Sequence, residues 1–240
     1  MSPRVEAARG VGAAPERVAL PEGEFRLIPG RPGVVIGVPH GGFEEFTGLI
    51  GERLGRLTGA GAVIATGFAG ARTGGVRLNV NRPTEGARLP PGAEPLTARA
   101  RRVHDAYAAL VRRAARGPLA LYVELHGYTR RASVVHLEVA TAGIGPGLAR
   151  RLKARYRLAR ERSLNGRREL PGLDLLIEPV DRVRFRATAA RRWPPFREAS
   201  AVLHIELPPE ARLPAAARES SIGLLAELLR VAAAATVGDG

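Results

Sequence analysis

The residues in this sequence best placed to do chemistry are two histidines, each at the end of an apolar run. His40 closes the stretch Val34-Val35-Ile36-Gly37-Val38-Pro39 and is followed by Gly41-Gly42, with Glu44 and Glu45 a few positions on. His126 closes Leu119-Ala120-Leu121-Tyr122-Val123-Glu124-Leu125 and is followed by Gly127. An apolar, β-branched run that breaks on proline or glycine reads as a buried strand running into a tight turn, and open α/β sheets bind their ligands at such strand ends. A catalytic zinc commonly takes two histidines and one carboxylate and leaves a fourth position for water. His40, one of Glu44 or Glu45, and His126 supply that set. Taken alone, His40 would equally suit a turn beside two solvated glutamates at a helix start, where negative charge is favourable. The chain has no cysteine, so a transition metal would have to be held by carboxylates and by the five histidines His40, His104, His126, His136 and His204.

A second pattern lies inside the strands. Glu124-Leu125-His126, His136-Leu137-Glu138 and His204-Ile205-Glu206 each place two ionisable residues two apart, hence on one face of a sheet. Three inert internal salt bridges would account for them, but burying paired charges seldom improves stability. A shared functional face gives them a reason.

The elements that must position these groups follow from periodicity. Short strands are expected at 25–28, 34–38, 62–66, 76–80, 119–127, 133–141, 173–178 and 201–207. Helices are expected from the three-and-four spacing of Phe46, Leu49, Ile50, Leu54 and Leu57, from that of Val103, Tyr107, Leu110 and Val111, and from Leu148, Leu152 and Tyr156 up to about Arg162. A last helix is expected from Ala215 to about Ala235. Pro83 ends regular structure after Asn81-Arg82, and 83–95 read as a loop. The alternation of strands and helices predicts an α/β fold, with a mostly parallel or mixed central sheet and helices on both faces. Residues 1–23 read as a poorly ordered lead or an edge strand, and 24–240 as one domain.

Composition narrows the classes further. No run at the N-terminus suits a signal peptide, and the longest uncharged run, Leu57 to Ala71, is too short and glycine-rich to span a membrane, which predicts a soluble, cytoplasmic protein. The formal charge is +14, and Lys153 is the only lysine. Glutamine is absent and asparagine occurs only at 79, 81 and 165, a bias that fits a thermophile or a GC-rich genome.

The runs VPHGG, LNVNRP, VELHG and LHIEL occur in an order and spacing that resembles the N-formylglutamate amidohydrolases and poly-γ-glutamate hydrolases, relatives of the zinc carboxypeptidases. The resemblance spans about residues 33–210. It implies a phosphorylase/hydrolase-like fold of the zinc-carboxypeptidase kind, a zinc held by His40, a following glutamate and His126, Glu206 as general base, and Asn81-Arg82 gripping a substrate carboxylate. The carboxypeptidase pattern puts its metal-binding glutamate three residues after the histidine, where this chain has Phe43. The polyglutamate hydrolases resemble a longer turn that selects Glu45, with Glu44 as the other choice. The amidohydrolases tend to have aspartate where this chain has Asn79.

Physical chemistry supplies matching roles. Arg82 can bind both oxygens of a carboxylate at once, Arg72 or Arg77 can stabilise an oxyanion, and Glu124 and His136 can orient His126 or face the cavity. The loop Arg191 to Phe196 is either a cover over substrate or a rigid surface turn. The expected function is zinc-dependent hydrolysis of an amide next to a free carboxylate, on a small acidic N-acyl amino acid or peptide. The other class is a basic protein that binds RNA or another polyanion through helices 96–116 and 146–162, although aromatic residues are only 5%.

Overall fold

The computed structural model describes residues 14–86, 89, 92–129, 136–164 and 173–238. Its strands are β1 (Glu16–Leu20), β2 (Gly23–Ile28), β3 (Arg31–Val38), β4 (Ala60–Thr66), β5 (Leu78–Asn79), β6 (Thr84–Glu85), β7 (Leu121–Gly127), β8 (His136–Ala142), β9 (Asp174–Ile177) and β10 (Ala201–Leu207). Its α-helices are α1 (Thr47–Thr58), α2 (Ala98–Ala115), α3 (Pro146–Leu164), α4 (Pro209–Arg212) and α5 (Ala215–Val237).

Eight strands form one sheet in the order β1-β2-β4-β3-β7-β10-β8-β9, and β5 pairs with β6 apart from it. The sheet is mixed: β4, β3, β7 and β10 run parallel, whereas β2 is antiparallel to β4 and β8 to β10. The edge-strand alternative for the lead holds for β1, which forms a hairpin with β2.

Alternation along the central strands separates two cores. Val34, Ile36 and Val38 of β3, Leu121, Val123 and Leu125 of β7, and Leu203, Ile205 and Leu207 of β10 face α1, α3 and α5. Val35, Tyr122 and Val202 face the opposite way, against α2 and Phe196. Because side chains alternate, Glu124 and His126 share Tyr122's face, and His204 and Glu206 share Val202's face. The ionisable residues therefore sit on the α2 side of the sheet, toward the carboxyl ends of the parallel strands.

The apolar stripe expected for α1 is only partly the buried one. Phe46, Leu49 and Leu57 are exposed, while Ile50 and Leu54 are buried together with Thr47, Gly48, Gly51 and Gly55. The glycines let α1 approach the sheet closely, since a Cβ at Gly51 would lie 2.4 Å from Val38 Cγ2. The strand expected at 76–80 is reduced to the two residues of β5, because the chain turns through Asn81, Arg82 and Pro83 into β6. The start expected for β8, at Ser133, lies outside the described residues. Helix α5 is long and apolar enough to cross a membrane, but half of its most apolar stretch is buried, and it packs on α1, α3 and α4 as a core helix would.

Candidate metal centre

The turn after β3 decides which glutamate joins His40. The backbone N–H groups of Phe43 and Glu44 both donate to the His40 carbonyl, at 2.9 and 2.8 Å, which winds one helical turn. Residues four apart on such a turn share a side, so Glu44 returns to His40, while Glu45 is exposed at the cleft that Glu44 also lines. Glu44 Oε1 lies 2.8 Å from His40 Nδ1 and 3.4 Å from His126 Nδ1, and Glu44 Oε2 accepts from the Gly127 N–H at 2.8 Å. The Glu45 side chain is exposed, and among the described residues it is its backbone carbonyl that is engaged, by Arg212. Of the two glutamates that the sequence leaves open, Glu44 is the one that the structure brings to His40 and His126.

His40, Glu44 and His126 each offer one ligand atom within 4.8 Å of the others. His40 Nε2 is buried with no hydrogen-bond partner among the described residues. Two imidazoles and one carboxylate form a donor set suited to zinc, and the other nitrogen of His126 is bound to a carboxylate, as in many metal-ligating histidines. The residues present fit such an ion.

That carboxylate is Glu124, which is fully buried. Its Oε1 accepts from Asn81 Nδ2 at 2.9 Å and from His126 Nε2 and His204 Nδ1 at 3.0 Å each, and its Oε2 accepts from the Tyr122 hydroxyl at 3.0 Å. An unpaired buried carboxylate costs several kcal/mol, roughly, and four donors offset that cost. Glu124, His126 and His204 also cluster as a second possible ion site, but the hydrogen bonds already satisfy Glu124. Tyr107 extends the network, its hydroxyl 2.9 Å from that of Tyr122. Both hydroxyls reach across Gly37, where a Cβ would lie 2.3 Å from each, so β3 needs glycine there.

The pairing of β7 with β10 sets the rest. In the parallel register Glu206 is beside His126 and His204 beside Glu124. His204 Nε2 lies 3.3 Å from Glu206 Oε1, so the imidazole joins two carboxylates. Burial pulls the His204 pKa down, but its bonds to Glu124 and Glu206 outweigh this and raise it. Burial acts likewise on His126, which Glu44 and Glu124 hold well above the ordinary range. For His40 burial wins, and its pKa is lowered. Burial raises Glu44, yet His40 and His126 pull it far below the usual carboxylate range. The Phe196 ring packs 6.4 Å from His204, so the loop from Arg191 backs the site as a packed turn.

The arginines do not divide as expected. Arg82 gives its fork to Glu94, with Nε and Nη2 each 2.7 Å from a carboxylate oxygen, and Nη1 donates to Asn81 Oδ1 at 3.2 Å. Asn81 in turn donates to Glu124. In this structure Arg82 is engaged by Glu94, and Asn81 by Glu124 and Arg82. Arg72 is exposed on a short 3-10 turn, Ala71–Thr73, and among the described residues has no hydrogen bond or ion pair to the cluster. Arg77 is the arginine that reaches the centre. Its Nε donates to Asn79 Oδ1 at 3.1 Å and its guanidinium lies 5.5 Å from the Phe43 ring centroid. It lines a cleft of about 540 Å³ together with Glu44, Gly127, Tyr128 and Arg212, and a smaller one of about 80 Å³ that includes His40.

His136 lies elsewhere, in a cleft between α3 and β9, with only its carbonyl turned to the Tyr128 hydroxyl at 3.2 Å. His104 is buried and bonds the Val80 carbonyl at 3.1 Å, a structural role. Tyr122 was readable from the sequence, being two residues before Glu124 on the same face. Glu94 was not, since it sits in a proline-rich loop without periodicity.

No family profile and no curated protein matches the chain. Among solved structures, a gene product of Agrobacterium tumefaciens superposes with a TM-score of 0.52 over 88% of this chain and 95% of its own, at 13% identity. A bacteriophage poly-gamma-glutamate hydrolase aligns over 97% of this chain and 94% of its own, at 17% identity and a TM-score of 0.48. A metallo-carboxypeptidase from Burkholderia cenocepacia aligns over 94% of this chain and 65% of its own, at 15% identity and a TM-score of 0.44. At 13% identity the likeness to the Agrobacterium tumefaciens protein is one of fold.

Proposed function

We propose that the chain is a metal-dependent hydrolase, with zinc as the metal, that cleaves an amide bond next to a free carboxylate in an N-acyl amino acid or small acidic peptide. The observation that carries this reading is the convergence of His40, Glu44 and His126 at the strand ends, with Glu206 beside His126 in register. His40, Glu44 and His126 would hold the ion, which when bound supplies a Lewis acid for the scissile carbonyl and makes water more acidic.

The chain's own groups do the rest. Glu124 accepts the Nε2 proton of His126 and so leaves Nδ1 free as a ligand atom. Glu206, held through Oε1 by His204, takes the proton of the attacking water and passes it to the leaving nitrogen. Arg77, half-buried at the cleft wall, meets the negative charge of the substrate, whether its carboxylate or the oxygen that gains charge in the transition state. Arg82 acts through Asn81 and Glu124 instead of through substrate.

The test pairs metal analysis with a conservative substitution. Purified protein should carry about one zinc per chain. Glu206→Gln should keep the zinc and lose turnover of an N-acyl amino acid by roughly two to four orders of magnitude. Normal turnover by Glu206→Gln, or protein that takes up no zinc, would overturn the proposal.

A further inference from the structure

Arg212 is a buried cation that the proposed reaction leaves without a task. It is 3% exposed, at the end of α4 just after β10, and among the described residues no ion pair joins it to a carboxylate. A buried charge without a counter-charge is costly and needs a compensating role. Its Nη1 donates to the Glu45 carbonyl at 2.9 Å and its Nη2 to the Tyr128 carbonyl at 3.0 Å, while Nε is buried with no partner. The guanidinium lies against Gly127, where a Cβ would be 2.6 Å from Nε and 3.1 Å from Cζ.

The two carbonyls belong to the segments that carry the metal ligands. Glu45 follows Glu44 in the turn after β3, and Tyr128 lies just past His126 and Gly127 at the end of β7. The backbone ladder does not hold these segments together. β3 pairs with β7 only as far as Gly37 and Glu124, short of both His40 and His126. Beyond that point the hydrogen bonds between the two segments, among the described residues, run through Glu44 or through Arg212. Arg212 is itself held from α5. Arg218 Nη1 donates to the Arg212 carbonyl at 2.9 Å, and the Arg218 guanidinium lies 4.0 Å from the ring centroid of Phe46, the residue after Glu45. The turn after β3, the end of β7 and the helix after β10 are thus tied at one point, by a planar fork that serves two acceptors at once.

We propose that Arg212 is a positioning residue for the metal centre: it fixes the separation of Glu44 and His126 at which both reach one ion, and Gly127 is the seat that its guanidinium requires. The inference rests on the metal site proposed above, but one arm of its test needs no metal.

In Arg212→Lys the charge stays, but an ammonium does not reproduce the fork that spans both carbonyls. Competition with a chromophoric chelator should show zinc bound about 10- to 100-fold more weakly than in wild type. In the metal-free protein, amide hydrogen exchange at Phe43, Glu44 and Gly127 should quicken by about tenfold or more, with residues 121–125 of β7 unchanged. A residue that only supports the fold would lower the melting temperature and leave the zinc dissociation constant within about threefold, and that result overturns the proposal. Should Arg212→Lys fail to fold, Gly127→Ala takes its place, since its Cβ displaces the guanidinium from its seat. It should weaken zinc binding in the same way, and an unchanged constant there also overturns the proposal. If wild type takes up no zinc, the proposed function falls and exchange alone judges the clamp: unchanged exchange at Phe43, Glu44 and Gly127 overturns it.

Discussion

His204 Nε2 lies 3.3 Å from Glu206 Oε1, and the other nitrogen of the same ring lies 3.0 Å from Glu124 Oε1. A single imidazole therefore links the carboxylate that orients His126 to the carboxylate proposed as base. With both ring nitrogens facing carboxylates, the charged form of His204 is favoured, in line with its raised pKa.

If His204 positions Glu206, then His204→Asn should lower kcat by about 10- to 100-fold, with KM changed less than about threefold and zinc retained. Steady-state kinetics with elemental analysis checks this. An equal loss in zinc content and kcat would make His204 a support of the metal instead.

The turn geometry separates two adjacent glutamates. Glu44→Gln should lose most of the zinc, because Glu44 is the carboxylate that faces both His40 and His126, and Glu45→Gln should keep it. Metal content after dialysis of the two variants decides between them, and zinc loss in Glu45→Gln alone would restore the longer-turn assignment.

Arg77 and Arg82 should now differ in kind. Arg77→Gln should reduce catalytic efficiency by about 10-fold or more on a free-acid substrate and less on the matching C-terminal amide. Arg82→Lys should reduce both to the same degree, since its fork is given to Glu94. Comparing the two substrates on the two variants measures the difference.

The Arg82–Glu94 pair also predicts a pH dependence. Burial opposes the charge of Glu94, but its bonds to Arg82 and Thr84 prevail, and its pKa lies below the usual value. A carboxyl whose pKa is lower folded than unfolded binds fewer protons when folded, so its contribution is present above about pH 4.3 and fades as pH falls. Glu94→Gln should cost about 3 kcal/mol near pH 7, because it leaves the Arg82 cation buried without its partner. The gap from wild type should narrow below about pH 4. Chemical denaturation at the two pH values checks this, and a gap independent of pH would show that packing accounts for the loss.

The strands that carry the chemistry were legible in the sequence because their alternation is local. Glu124 and His126, or His204 and Glu206, must share a face whatever the rest of the chain does, and β10 runs from Ala201 to Leu207 as its pattern predicts. The reduction of the strand at 76–80 to β5, the exposure of Leu49 and the use of glycines as the packing face of α1 depended on neighbours that no local period reveals. The same holds for the choice of Glu44, set by two N–H bonds to one carbonyl, and for Arg82, whose carboxylate partner is twelve residues on in a loop. Residue type and spacing determined which groups could act together. Only the tertiary structure decided which of them meet, because a side chain's charge is committed by whichever partner the folded chain brings within hydrogen-bond reach.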